Sequence, residues 1–199
     1  MTVTNVDTGT VEIQGGEFRD ELIAFGGADV LAPGTILGRR EVATAVTASA
    51  ITGTGNGTVT AATVVAGEVP QVGAYMLVNT LVVADGGVFE LRAPNGQVVA
   101  SGLRLTVGAG GTTVLRAGGL QFTVTDGSTN FALGDSFTLT VAADGKMTPF
   151  DPAGVGGAQI PTAVLTYEVT ATGAGTLAIR PLVTGQVNFD RLIIDADGD

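Results

Sequence analysis

Cysteine, histidine and tryptophan are all missing from these 199 residues. Without cysteine there are no disulfides and no thiolate metal ligands, so burial and subunit contacts must hold the fold together, and oligomerisation is a reasonable expectation. Without histidine the chain lacks the commonest general base near neutral pH and the commonest transition-metal ligand. With cysteine also gone, no thiol nucleophile remains. Aromatic residues make up only 5%. The two tyrosines, Tyr75 and Tyr167, offer little of the broad ring surface on which sugars stack. Basic residues are scarce, nine against nineteen acidic ones, for a formal net charge of -10. The one adjacent basic pair, Arg39-Arg40, is too little to neutralise a phosphate backbone, so nucleic acid is not an expected partner. Long apolar runs are absent too. Mean hydropathy is +0.42, but it comes from dispersed Ala and Val, and no run approaches the roughly 18 apolar residues of a spanning helix. The expectation is a soluble protein with no membrane partner. The start Met1-Thr2-Val3-Thr4-Asn5 carries neither the basic nor the apolar stretch of a secretory signal.

What is abundant is glycine, at 31 residues, with Val and Thr recurring throughout. That composition favours many short strands joined by tight turns, and the expected fold class is all-β. The first seventeen residues are polar and Thr-rich, with Val11 and Ile13 on one side of an extended stretch, Thr10-Val11-Glu12-Ile13-Gln14, that Gly15-Gly16 is expected to end. Such an arm is either a mobile tail or a strand awaiting a partner. Phe18 to Phe25 fits helical spacing, but Leu22-Ile23-Ala24-Phe25 before Gly26-Gly27 favours a short buried strand. Pro33-Gly34 is a turn, and Thr35-Ile36-Leu37 starts a new strand.

Between about Val46 and Ala143 charge falls and glycine punctuates evenly spaced alternating segments, the texture of a second β unit. Phe89, Leu91 and Ala93 alternate with Glu90 and Arg92 before Pro94-Asn95-Gly96 turns the chain into Gln97-Val98-Val99, a hairpin. Leu120, Phe122 and Val124, and then Phe137, Leu139 and Val141, mark two strands with one wet and one buried face. Met76 to Ala84, Leu103 to Val107 and Thr112 to Leu115 are further candidates, enough for a small sandwich or barrel. Beyond it, Thr162 to Val169 and Thr176 to Val183 read as strands, and Val187 to Leu192 as one helical turn with Asn188 as its cap.

Reactive constellations are hard to assemble. Ser49, Ser101, Ser128 and Ser136 sit in turns or strands without a Gly-x-Ser-x-Gly elbow. Asp20-Glu21, or Glu12 with Glu17, could be nominated as a glycosidase pair, but no spacing selects them. Asp195-Ala196-Asp197-Gly198-Asp199 imitates the start of a calcium loop but lacks the distal bidentate Glu, so a solvated acidic tail is the expected reading. Gly53-Thr54-Gly55-Asn56-Gly57 and Gly108-Ala109-Gly110-Gly111 do not stand between a strand and a helix, so they are loops and not phosphate cradles. The chain is expected to be no enzyme, with no catalytic residue, no cofactor and no metal.

Four segments in order carry a resemblance: Pro33-Gly34-Thr35-Ile36-Leu37-Gly38-Arg39, Gly145-Lys146-Met147-Thr148-Pro149-Phe150-Asp151-Pro152, Pro161-Thr162-Ala163-Val164-Leu165, and Gly185-Gln186-Val187-Asn188-Phe189-Asp190-Arg191-Leu192. Their succession resembles the lambda-type head decoration proteins of tailed phages. In that family the first two segments are the arms of one hairpin, whereas here about a hundred residues separate them, as if a β-domain were inserted at an exposed tip where added length costs little. The expected division is a discontinuous body, residues 1–45 plus 145–199 with an extended arm at 1–17, and an inserted Ig-like sandwich or barrel at 46–144. The resemblance implies a homotrimer at local threefold positions on the outer face of a capsid, made in the bacterial cytoplasm. Its partner is the major capsid protein, bound through an arm that adds a strand, with Thr10, Val11, Glu12, Ile13 and Gln14 as the capsid-binding residues. The competing expectation is a surface adhesin whose inserted domain takes a glycan or host receptor.

Overall fold

The computed structural model describes residues 2–3, 13–105 and 110–187. Among them the protein is all-β, with no helix, and so none long and apolar enough to cross a membrane. The strands are β1 (Thr2–Val3), β2 (Ile13–Phe18), β3 (Glu21–Phe25), β4 (Ala28–Leu31), β5 (Ile36–Ala48), β6 (Thr58–Val64), β7 (Gly73–Val83) and β8 (Gly86–Arg92). They continue as β9 (Val98–Leu105), β10 (Thr112–Ala117), β11 (Leu120–Thr125), β12 (Ser136–Pro149), β13 (Pro161–Val164), β14 (Val169–Thr172), β15 (Gly175–Ile179) and β16 (Leu182–Val187). The chain divides into two compact units, Met1–Glu41 with Asp144–Asp199, and Val42–Ala143. The divisions expected from sequence, after 45 and after 144, lie within a few residues of these. The long strands β5 and β12 are hydrogen-bonded neighbours and carry the chain out of the first unit and back.

In the first unit, strands run β1-β2-β16-β13-β5-β12, and β3 joins β12 through one parallel pair, Ile23 with Met147, and β15 through an antiparallel ladder. Strands β4 and β14 form a separate ribbon, Leu31 opposite Val169. Alternation places Ile23, Phe25, Leu37, Met147, Leu165 and Ile179 in one core, with Leu31 and Ala171 closing it. The Pro33-Gly34 turn forms as its sequence demands, Thr35 N–H donating to Ala32 C=O at 3.2 Å with Gly34 at a φ of 97°.

Three expectations are corrected here. Gly15-Gly16 does not end the first strand, because β2 runs through it as a bulge, with Gly15 at a φ of 63°. The stretch Thr162 to Val169 is two strands, since Leu165 leaves the ladder to exchange backbone hydrogen bonds with Gly34 and Thr35 at the turn. Thr176 to Val183 is likewise divided, at Arg180-Pro181, where proline has no N–H to give a ladder. The expected helical turn falls almost wholly outside the described residues, and Val187, its first residue, ends β16.

The second unit holds two antiparallel groups. One runs β12-β7-β8-β9, and the other joins β5 to β6, β11 and β10. Each turns an alternating apolar face inward. Phe89, Leu91, Leu77, Phe137 and Leu139 come from the first group, and Leu120, Phe122 and Val124 from the second, all at most 1% exposed. Phe131, from the loop before β12, meets Phe89 and Phe137 edge-on at 5.2 and 6.1 Å between ring centres, the geometry that sets a ring edge on a π face. The expected hairpin is β8 with β9, closed at Pro94-Asn95-Gly96, where Ala93 N–H donates to Gln97 C=O. Leu103 to Leu105 is the far end of that same β9, not a separate strand.

Candidate functional site

Of the five residues expected to bind a capsid, Thr10, Val11 and Glu12 lie outside the described residues. Ile13 and Gln14 open β2, where their backbones pair on both sides. Gln14 stands opposite Gln186 of β16 and Thr2 of β1, and Ile13 opposite Val187 and Val3. A strand added by another chain therefore reaches these two only by displacing β1, or by extending the sheet beyond it.

The ribbon that continues from them is wet on both faces. Gly15, Gly16, Glu17 and Phe18 of β2 are exposed, as are Thr184, Gly185 and Gln186 of β16. Alternation should bury every second side chain of a strand that lies on a core. Here main-chain hydrogen bonds carry the pairing, and the two strands come unusually close. A Cβ on Gly185 would sit 2.5 Å from Gly15 C=O, so glycine is required there. Next to the ribbon, where β13 and β16 pair at Val164 and Leu182, lies a cleft of about 230 Å³. Ile36, Pro161, Val164, Leu182 and Val187 line it, and Val187 is the register partner of Ile13.

Arg39 and Lys146 of the quoted motifs serve the body itself. Arg39 pairs with Glu21 and also reaches Gly145 C=O, while Arg40 and Lys146 both grip Asp144, whose side chain is 6% exposed. Burial works against the Asp144 anion, but hydrogen bonds from Lys146 and Arg40 and their two charges outweigh it, holding the carboxyl below its usual range. Gly38 has a steric reason to be glycine. The loop after β12 lies directly on β5, and a Cβ at 38 would stand 2.3 Å from Ala158 C=O. Sequence reasoning missed Asp144, because a single Asp in a polar stretch carries no signal of burial.

Of the carboxylate pairs nominated from sequence, all in the first unit, Glu12 lies outside the described residues and Glu21 is paired with Arg39; among the described residues no three Asp or Glu gather to hold a metal ion. A recess of about 360 Å³ is lined by Glu68, Pro70, Gln71, Tyr75, Asn95 and Gly118. Tyr75 is 2% exposed and its hydroxyl accepts Gln71 N–H at 2.8 Å, so its ring is part of the core and not an open platform. Burial pushes the Tyr75 hydroxyl pKa up, and the Gln71 bond only partly offsets it.

No family model and no curated protein matches the chain. Among solved structures, it is similar to FlgL of Xanthomonas campestris, at 20% identity over 57% of this chain, with a TM-score of 0.35. The chain spans about a third of that protein's length, 33%, and a likeness at this level carries no argument about fold or function.

Proposed function

We propose that this protein is a capsid decoration protein. It binds the outer surface of a phage head as a homotrimer, and its N-terminal arm extends a sheet of the major capsid protein. The observation that carries the reading is the β2–β16 ribbon, paired through its backbones and exposed at Gly15 to Phe18 and at Thr184 to Gln186. A ribbon with so little burial is marginal by itself and gains most from a partner that covers it. The succession of quoted motifs names the kind of partner, and the hydrogen-bonded neighbours β5 and β12 are those its hairpin requires. Three arms on one trimer multiply a weak contact through effective concentration.

The test mixes the full chain, and a chain lacking residues 2–14, with undecorated expanded capsids. The full chain binds and has a solution mass three times the 19.8 kDa chain, while the shortened chain keeps that mass and fails to bind. Full binding by the shortened chain sinks the role of the arm. Failure of the full chain to bind any such capsid, together with a hit on a glycan array, moves the reading to an adhesin that uses the recess beside Tyr75.

A further inference from the structure

Asp126 is a buried carboxylate with no salt-bridge partner among the described residues. It follows β11 where the chain enters Gly127-Ser128-Thr129-Asn130, it is 2% exposed, and neither of its oxygens meets a hydrogen-bond donor among the described residues. Its own N–H is committed to Gly111 C=O at 2.9 Å. Native structures rarely leave a buried carboxylate bare, and a partner ion is one of the few things that makes such a group stable. The second acidic group is Asp85, at the turn between β7 and β8. Its backbone N–H donates to Asn130 Oδ1 at 3.3 Å, which seats the turn on the loop that Asp126 begins. Asp85 is itself exposed and has a φ of 52°. Neither Asp forms an ion pair with Lys or Arg among the described residues.

We propose that Asp126 and Asp85, with oxygens of the 126–130 loop, hold a calcium ion. A chain with neither histidine nor cysteine offers oxygen ligands and no softer one to attract a transition metal. Calcium accepts irregular shells of six to eight oxygens, including backbone carbonyls, whereas magnesium demands a near-ideal octahedron and keeps several waters. Burial pushes the Asp126 carboxyl up, the adjacent Gly127 N–H, short of a full hydrogen bond, offsets part of that, and the Asp85 charge adds a smaller push. A cation reverses that balance. Two carboxylates place the site at the weak end of calcium modules, with a Kd on the order of 10⁻⁴ to 10⁻³ M. The ion would tie the 84–85 turn to the 126–130 loop, a role independent of how the protein meets a capsid.

The test is calorimetric titration of calcium chloride into the chelator-treated full chain, with thermal unfolding in parallel. One site is expected, with a midpoint that rises with calcium. Asp126→Asn and Asp85→Asn should each weaken binding at least 10-fold, because each removes a charged ligand. Should the first variant fail to fold, the second decides the matter, since Asp85 lies on an exposed turn where Asn adopts the same backbone conformation. The acidic run 195–199 is the competing source of calcium binding, so a chain lacking it must keep the site. No heat and no midpoint shift, or binding that survives both substitutions and disappears with the run, overturns the proposal.

Discussion

The Asp135 carboxylate accepts the backbone N–H of Gly55 at 2.8 Å, joining two loops that lie 80 residues apart in sequence. Its other oxygen takes Thr54 N–H at 2.9 Å, and Ala132 N–H donates to the same oxygen as Gly55, so one side chain 3% exposed satisfies three backbone donors. Burial alone would push this carboxyl up, but the three N–H bonds prevail and hold it below its usual range.

Asp135→Ala leaves those donors without an acceptor inside the fold. Losing charge-assisted hydrogen bonds of this kind costs on the order of 3 kcal/mol. Urea unfolding should show the midpoint fall accordingly with an unchanged slope, and a midpoint within error of the parent would refute the role assigned to Asp135.

Acid should act on the protein in two stages with opposite signs. Asp135 and Asp144 have lowered pKa values in the folded state. Their stabilisation is complete above the unfolded value of about 3.9 and is lost as pH falls through the folded values below it. Asp126 is raised, so its anion opposes folding at neutral pH, and that penalty fades as pH falls toward about 3.9. In calcium-free buffer the unfolding midpoint should therefore rise slightly between pH 7 and about 4, then drop below that. Asp126→Asn should flatten the first stage and leave the second intact. A parent midpoint that falls steadily from pH 7 would contradict this assignment.

Gly38→Ala forces β5 and the 151–160 loop apart, because the new methyl would stand 2.3 Å from a carbonyl oxygen on rigid backbone. Overpacking of this kind costs about 1–3 kcal/mol. Amide exchange should locate the damage, since Glu41 N–H donates to Gly156 C=O at 2.6 Å and should lose protection first. Equal protection in both proteins would show that the loop does not rest on Gly38.

Gly185→Ala separates β16 from the bulge at Gly15-Gly16. The body core should keep its amide protection, while the β2 amides should exchange faster and capsid binding should fall. Unchanged exchange in β2 would mean that the close approach of these strands is not what holds the ribbon.

Alternation and turn chemistry were enough to read much of this fold. Phe89 with Leu91, Leu120 with Phe122 and Val124, and Phe137 with Leu139 are buried as their period of two requires, and Pro33-Gly34 and Pro94-Asn95-Gly96 turn where they stand. Such signals are local, because side-chain direction and backbone dihedrals depend on near neighbours. Strand β6 escaped because its alternation breaks at Ala61, which has a φ of 50°, so that Val59, Ala62 and Val64 are buried out of step. Of the candidate arm, the sequence showed an extended, partner-poor stretch, but not that Ile13 and Gln14 pair with β16 across most of the chain.

The missing cysteine and histidine, the acidic balance and the β periodicity belong to the sequence by itself, and they narrow the chemistry open to this protein. Tertiary structure alone decided which glycines are steric necessities and which aspartates matter. Gly38 and Gly185 are constrained by the backbone of distant segments. Asp135 and Asp126 stand in similar polar loops, yet the first is pinned by three N–H groups and the second has no hydrogen-bond partner among the described residues. Solvation and hydrogen bonding depend on what the rest of the chain brings alongside, and no local pattern encodes that.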